Sequence, residues 1–311
     1  MTRLPKFNLY RQLLVLFILL FAITGCEIVG WKAEQDKQSL EEAGYSEQYF
    51  PLADGGVMKY WVGGTGKPLL LIHGFGGTAI STWKKEMLEL NKDYMVIAPD
   101  LAWFGDSYSH STPNLTTQTN AIWQILDSLK IDKVNVAGIS YGGFVTYSMM
   151  MTPERIDKSV IIASPGPLFN DDDLAQLCIR ANVDKPEELF VPQNSLGVRR
   201  LFDHVFYEKK RMPDFIADQI YQSYFAPWQN EKIALIQSLV NDRERINQYP
   251  VANLPPSMLI WGDNDQIFPL KNGIELSEHI NSSIVVIPET GHGVTNEQPE
   301  LVTRLLKSFL S

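Results

Sequence analysis

Val134-Asn135-Val136-Ala137-Gly138-Ile139-Ser140-Tyr141-Gly142-Gly143 is the stretch on which the reading of this chain turns. A short apolar run with β-branched residues ends in Gly-x-Ser-x-Gly, and helix-forming residues follow from Phe144. Strand, tight turn and helix in that order hold a serine on a strained corner with its hydroxyl outward. Gly138 and Gly142 carry no Cβ, so the strand end and the helix start can approach closely. The first amides of the helix then face whatever the serine attacks. The same five residues alone also describe a bland turn. Here the flanks fit, and suitable partners appear downstream.

Outward from Ser140 the chain keeps one rhythm. Upstream, Tyr49 to Leu52 and Val57 to Val62 read as strands around Asp54-Gly55-Gly56. Gly63-Gly64-Thr65-Gly66-Lys67-Pro68 looks superficially like a phosphate loop. Its first glycine is misplaced, and Pro68 stands where Ser or Thr would bind magnesium, so it reads as a loop between strands. Leu69 to His73 is a strand ending in His73-Gly74-Phe75-Gly76-Gly77, and a helix follows from about Thr82 to Asn91. Tyr94 to Pro99 is the next buried strand. Thr116 to Leu129 has helical spacing, with Ile122, Ile125, Leu126 and Leu129 on one side. After the helix to about Met151 comes the strand Ser159 to Ala163. Such alternation indicates a parallel sheet covered on both faces.

The rhythm breaks at Pro165-Gly166-Pro167. From Leu168 to about Tyr249 only helical patterns occur, including Leu196 to Tyr207, Pro213 to Tyr224 and Glu231 to Ile246. It then resumes with strands Ser257 to Trp261 and Ser283 to Ile287 and helices Leu270 to Ile280 and Pro299 to Leu310. The helical middle is therefore an insertion within one sheet domain.

The N-terminus stands apart. Arg3, Lys6 and Arg11 precede the apolar run Leu13 to Ile23, followed by Thr24-Gly25-Cys26. Positive end, short apolar core and small residues have the layout of a secretory signal peptide. The run is short for a transmembrane helix, which needs about twenty residues. Ile23-Thr24-Gly25-Cys26 resembles the lipobox of bacterial lipoproteins, which implies lipidation at Cys26 and a lipid-anchored place in the bacterial cell envelope, at the outer or inner membrane. The alternative is an uncleaved signal anchor, with Ile28, Val29 and Trp31 extending the run. Lipidation of Cys26 would leave Cys178 without a disulfide partner, as a small buried apolar residue. Residues 1–25 are thus expected to be a signal peptide and 26–45, which are charged, a tether or a loose helix outside the core. The sheet domain takes 46–166 and 251–311, and the helical cap 167–250. With 311 residues there is room for that division, and a formal net charge of −9 argues against nucleic acid as a partner, which would need a basic face.

The chain from about Tyr45 to Ser311 resembles the α/β-hydrolase superfamily. The resemblance is carried by His73-Gly74, Asp100-Leu101, Gly138-Ile139-Ser140-Tyr141-Gly142-Gly143, Asp265-Gln266-Ile267-Phe268-Pro269 and Gly291-His292 in that order. It implies an α/β-hydrolase fold: a mostly parallel eight-stranded sheet, helices on both faces and a helical cap. It also implies a catalytic triad of Ser140 as nucleophile, His292 as base and Asp265 as acid. Asp263 follows the same strand and is expected to be a turn residue, because the family's acid-to-proline spacing matches Asp265 and Pro269. Some relatives place the acid one strand earlier, where Asp171, Asp172 and Asp173 lie; these read as a helix start. The oxyanion donors are implied to be the backbone N–H groups of Phe75 and Tyr141, with His73 holding the loop and taking no proton.

Many relatives carry Pro-Gly after Asp100-Leu101. This chain has Ala102-Trp103, and Trp103 either walls the pocket or packs beneath the loop. His110, His204 and His279 sit in no comparable context. No metal or cofactor is called for, since the histidines are scattered and no cysteine pair occurs. The expected activity is a serine esterase or lipase acting on a small-molecule ester through an acyl-enzyme. Phe169, Phe202, Phe206, Phe225 and Trp228 of the insertion would suit an apolar acyl chain, or simply pack the cap. Carbon–carbon bond hydrolysis or other chemistry by the same triad, and a lipid-anchored binding protein on a retired hydrolase fold, are the alternatives. Ser140 argues against relatives that use an aspartate nucleophile.

Overall fold

Apolar runs without alternation have to be covered on both faces, and the chain meets that demand with one sheet. The computed structural model describes residues 27–209 and 211–311. The strands are β1 (Ser46–Pro51), β2 (Val57–Gly63), β3 (Lys67–Ile72), β4 (Tyr94–Pro99), β5 (Val134–Ile139), β6 (Ile156–Ile162), β7 (Ser257–Gly262) and β8 (Ser283–Ile287). They form one eight-stranded sheet in the order β1-β2-β4-β3-β5-β6-β7-β8. β1 pairs antiparallel with β2, and β2 with β4; every later pair is parallel. β5, which delivers Ser140, lies at the centre with all of its residues buried.

Successive strand residues point to opposite faces, and β3 shows the consequence. Leu69 and Leu71 join a core with Trp83 and Met87 of α2 (Ala79–Leu90) and Val302, Leu306 and Leu310 of α12 (Pro299–Leu310). Leu70 and Ile72 join the opposite core with Ile122, Ile125 and Leu126 of α3 (Leu115–Ser128). α4 (Tyr141–Met149) and α10 (Leu270–His279) complete that second face.

The insertion between β6 and β7 is helical, as its sequence predicts: α5 (Asp171–Ala181), α6 (Pro186–Phe190), α7 (Ser195–Val205), α8 (Asp214–Ile220) and α9 (Gln229–Asn247). The helix expected over Pro213 to Tyr224 is α8 prolonged by a π-helical turn, Tyr221–Phe225. Cys178, expected to be buried, is half-buried on α5.

The segment read as a tether or a loose helix is a helix, and it differs from that reading in packing onto the core. Residues Ile28–Glu42 form α1, with Leu40 fully buried in the same core as Trp83. Asp36 pairs with Lys84 of α2, and Lys37 lies 2.7 Å from Glu47 of β1. The Val29 N–H donates to Gln219 of α8 at 3.0 Å, so α1 touches sheet domain and cap alike. A helix held by one leucine and several ion pairs has no apolar stripe, which is why its sequence resembles a tether. Among the described residues no helix is long and apolar enough to cross a membrane. The signal peptide and Cys26 lie outside the described residues.

Candidate active site

Ser140 occupies the junction of β5 and α4 at φ +55°, ψ −119°, a conformation that costs about 1–3 kcal/mol in a non-glycine residue. The surroundings hold it there. Its N–H donates to the Ile162 carbonyl of β6 at 2.8 Å. A Cβ at Gly138 would lie 2.2 Å from the Gly142 carbonyl oxygen, and one at Gly142 would lie 2.4 Å from the Ile72 oxygen. Both glycines are there for close approach, as the motif predicts.

His292 follows β8 on a short loop and is 5% exposed. Its Nδ1 lies 2.8 Å from Asp265 Oδ2. The other carboxylate oxygen of Asp265 accepts the Ile267 and Phe268 N–H groups at 2.8 and 2.9 Å. A carboxylate can only accept, so Nδ1 carries the proton and Nε2 is left with its lone pair. Phe268 packs edge-on against the imidazole at 5.4 Å.

The rival acids are engaged elsewhere. Asp263 is exposed and takes the Asn264 side chain at 2.5 Å and the Thr290 N–H at 3.3 Å, a local turn. Asp171, Asp172 and Asp173 open α5 behind an Asn170 cap; Asp171 pairs with Arg243, and Asp173 lies 2.8 Å from Lys271.

Gly74 lies beside the serine: a Cβ there would be 3.3 Å from Ser140 Cβ. The next N–H is that of Phe75. Among the described residues, neither it nor the Tyr141 N–H is committed to an acceptor within the chain. His73 fixes the loop from beneath. Its Nδ1–H donates to the Gly74 carbonyl and its Nε2 accepts the Leu101 N–H, both at 2.8 Å. Full burial pushes its pKa down to about 4, so it stays neutral. Trp103 is 1% exposed and packs in the core beneath the loop, away from the cavity lining. Its φ of +69° is the left-handed corner that turns the indole inward.

Residues 69–305 match the model of the Alpha/beta hydrolase family. The chain belongs to that family. It is 27% identical to the 2-hydroxymuconate semialdehyde hydrolase of Pseudomonas sp. CF600, over 80% of this chain and 88% of the relative. It is 26% identical to the 2-hydroxy-6-oxo-2,4-heptadienoate hydrolase of Pseudomonas putida F1, over 80% of this chain and 90% of the relative. A solved membrane phospholipase A, described as a bacterial virulence factor, shares the fold with a TM-score of 0.72 at 23% identity, covering 96% of this chain and 98% of that one.

In this alpha/beta hydrolase, Ser140 and His292 line one cavity of about 790 Å³. The cap covers it with Phe190, Leu201, Phe202, Val205, Phe206 and Phe225. Of the five cap aromatics singled out from the sequence, Phe202, Phe206 and Phe225 reach the cavity. Phe169 packs edge-on against Phe268 at 4.9 Å, and Trp228 stacks on Tyr108 at 5.7 Å, so those two are packing residues. The lining also includes polar residues, Lys32 and Asp36 of α1, Glu47, Lys59 and Asp100 among them. Asp100 is 1% exposed, accepts the Ala79 N–H at the start of α2 at 2.8 Å, and is raised by burial to about 6. The part of α1 in the wall was missed from sequence; Ile28 and Val29, an apolar pair ahead of a charged run, were its one signal.

Proposed function

We propose that this alpha/beta hydrolase cleaves carboxylic esters with an apolar acyl chain through a serine acyl-enzyme. The Ser140 hydroxyl attacks the ester carbonyl while His292 Nε2 takes its proton. Asp265 stabilises the imidazolium through Nδ1, and the Phe75 and Tyr141 N–H groups stabilise the oxyanion. Collapse of the tetrahedral intermediate expels the alkoxide, which receives the proton from His292. Water then attacks the acyl-enzyme by the same route and frees the acid and Ser140. The observation that carries this reading is Asp265 locked by two backbone amides onto His292, which shares an aromatic-walled cavity with Ser140.

Carbon–carbon bond hydrolysis by the same groups is the second reading, favoured by the two Pseudomonas relatives. The name of one, a heptadienoate hydrolase, describes a carboxylate substrate. The polar residues lining this cavity suit an anion poorly. Lys59 lies 2.9 Å from Glu47 and 3.2 Å from Asp106, Lys37 lies 2.7 Å from Glu47, and Lys32 pairs with Asp36. Among the described residues no arginine lines the cavity. A neutral ester therefore fits better than a dienoate.

Labelling by a fluorophosphonate, lost in Ser140→Ala, tests the nucleophile. Turnover of p-nitrophenyl esters of graded chain length against 2-hydroxy-6-oxo-2,4-heptadienoate separates the two chemistries; faster cleavage of the dienoate would overturn the ester reading. We further propose attachment to the bacterial envelope by lipid on Cys26, since several acyl chains on one residue give stable anchoring. Mature protein beginning at Cys26 supports this, and retained Met1 or Thr2 would make the apolar run a signal anchor.

A further inference from the structure

Lys232 on α9 is 1% exposed, and the acyl-transfer steps make no use of it. An ammonium withdrawn from water is costly unless its donors are met. Its Nζ donates to the Tyr224 carbonyl and to the Pro227 carbonyl, each at 2.7 Å. Nζ also stands 5.3 Å from the centre of the Phe104 ring, within cation–π range. Burial lowers its pKa to about 8, which leaves it mostly charged at neutral pH.

The two carbonyls belong to the π-helical turn Tyr221–Phe225 and the residues just after it, where α8 gives way to α9. π-Turns disturb the regular ladder and often mark functional positions. Phe225, the last residue of this turn, lies on the loop that carries the Phe75 N–H. A Cβ at Gly76 would come within 2.6 Å of the Phe225 ring. Gly76 has φ +77° and directly follows Phe75. Phe104, beneath the ammonium, packs edge-on to Phe75 at 5.0 Å and to His73 at 5.3 Å. Lys232 therefore reaches the loop by two routes, through Phe225 onto Gly76 and through Phe104 onto Phe75.

We propose that Lys232 is a positioning residue for the oxyanion hole. It clamps the cap's π-turn so that Phe225 holds the Gly76 peptide, and with it the Phe75 N–H, at its working aim. The charge of Lys232 also disfavours protonation of His73, whose neutral form ties the same loop from below. The inference rests on the acyl-transfer reading above.

A merely structural lysine would lower stability alone, whereas a positioning one lowers affinity for the tetrahedral state. Lys232→Met keeps the stem and removes the donors. Its kcat on p-nitrophenyl butyrate should fall about 30-fold with KM within about threefold, a partial loss of one oxyanion donor. Binding of phenylboronic acid, whose serine adduct is tetrahedral and anionic, should weaken by the same factor. Phe225→Leu leaves Lys232 intact and should show a smaller effect of the same kind. The double variant should lose less than the product of the two, because one of the two routes from Lys232 runs through the Phe225 seat on Gly76. Lys232→Met with kcat and boronate affinity within about twofold of the parent overturns the inference. So does a rise in KM alone. If Lys232→Met does not fold, Phe225→Leu decides, and an unchanged kcat there overturns it as well. Parent turnover and its loss in Ser140→Ala check the hydrolase reading independently. A silent Lys232→Met beside an active parent removes this inference only, and an inactive parent removes both.

Discussion

On the sheet side of the cavity, each group is tied to backbone of its own loop or of a neighbouring strand or strand end. Asp265 is held by the amides of Ile267 and Phe268, Ser140 by the Ile162 carbonyl, and His73 by Gly74 and Leu101. On the cap side, the wall is made of side chains from separate helices: Phe190, Leu201, Phe202 and Phe225. A developing charge needs donors held within a fraction of an ångström, which strand ends and their loops provide. An apolar chain needs only shape and dryness, which packed rings supply. The two sides should accordingly fail in different ways: the sheet side in kcat, and the cap side, apart from the Lys232–Phe225 clamp on the Phe75 loop, in substrate preference.

The sharpest attempt to break that contrast is Ser140→Ala or His292→Ala. Each should cost on the order of a million-fold in kcat, with the double variant little worse, because the groups act as a unit. A folded Ser140→Ala protein with near-normal esterase activity would sink the mechanism. Asp265→Asn comes next, at about ten-thousand-fold, since an amide favours the wrong imidazole tautomer. Asp263→Asn should be nearly silent, and the reverse ranking would move the acid to Asp263.

Glu86 tests whether the sheet domain tolerates change away from the cavity. On α2 it is 1% exposed with an unpartnered Oε1, and burial raises its carboxyl from 4.5 to about 8. The fold thus holds Glu86 protonated while the unfolded chain ionises it, so stability falls as pH rises from 4.5 towards 8. Glu86→Gln removes that loss: the gain should approach about 4 kcal/mol at pH 8, shrink to under about 1 kcal/mol at pH 5, and leave kcat unchanged. Urea unfolding at the two pH values measures it, and equal gains at both would refute the burial account.

The smallest effect belongs to the cap. Phe202→Ala should raise KM about tenfold for long-chain p-nitrophenyl esters and hardly alter acetate turnover, as lost apolar contact of 1–2 kcal/mol would. A matching fall in kcat on acetate would show that the cap wall takes part in the chemistry.

The sequence by itself determined the sheet and the corner at Ser140, while Asp265 was preferred to Asp263 on the family resemblance. The forces behind the first two are local: the run of apolar residues along a strand, and the close approach of Gly138 to Gly142 four residues on. Only the tertiary structure decided the rest. Trp103 packs inward and away from the cavity, Phe202 reaches it while Phe169 does not, and α1 forms part of its wall. Val29 meets Gln219 across 190 positions and Asp36 meets Lys84 across 48. Lys232 stands over Phe104 only where α9 packs back on the sheet domain. Those positions are set by packing between segments far apart in the chain, and no spacing within a segment records which surface will lie opposite.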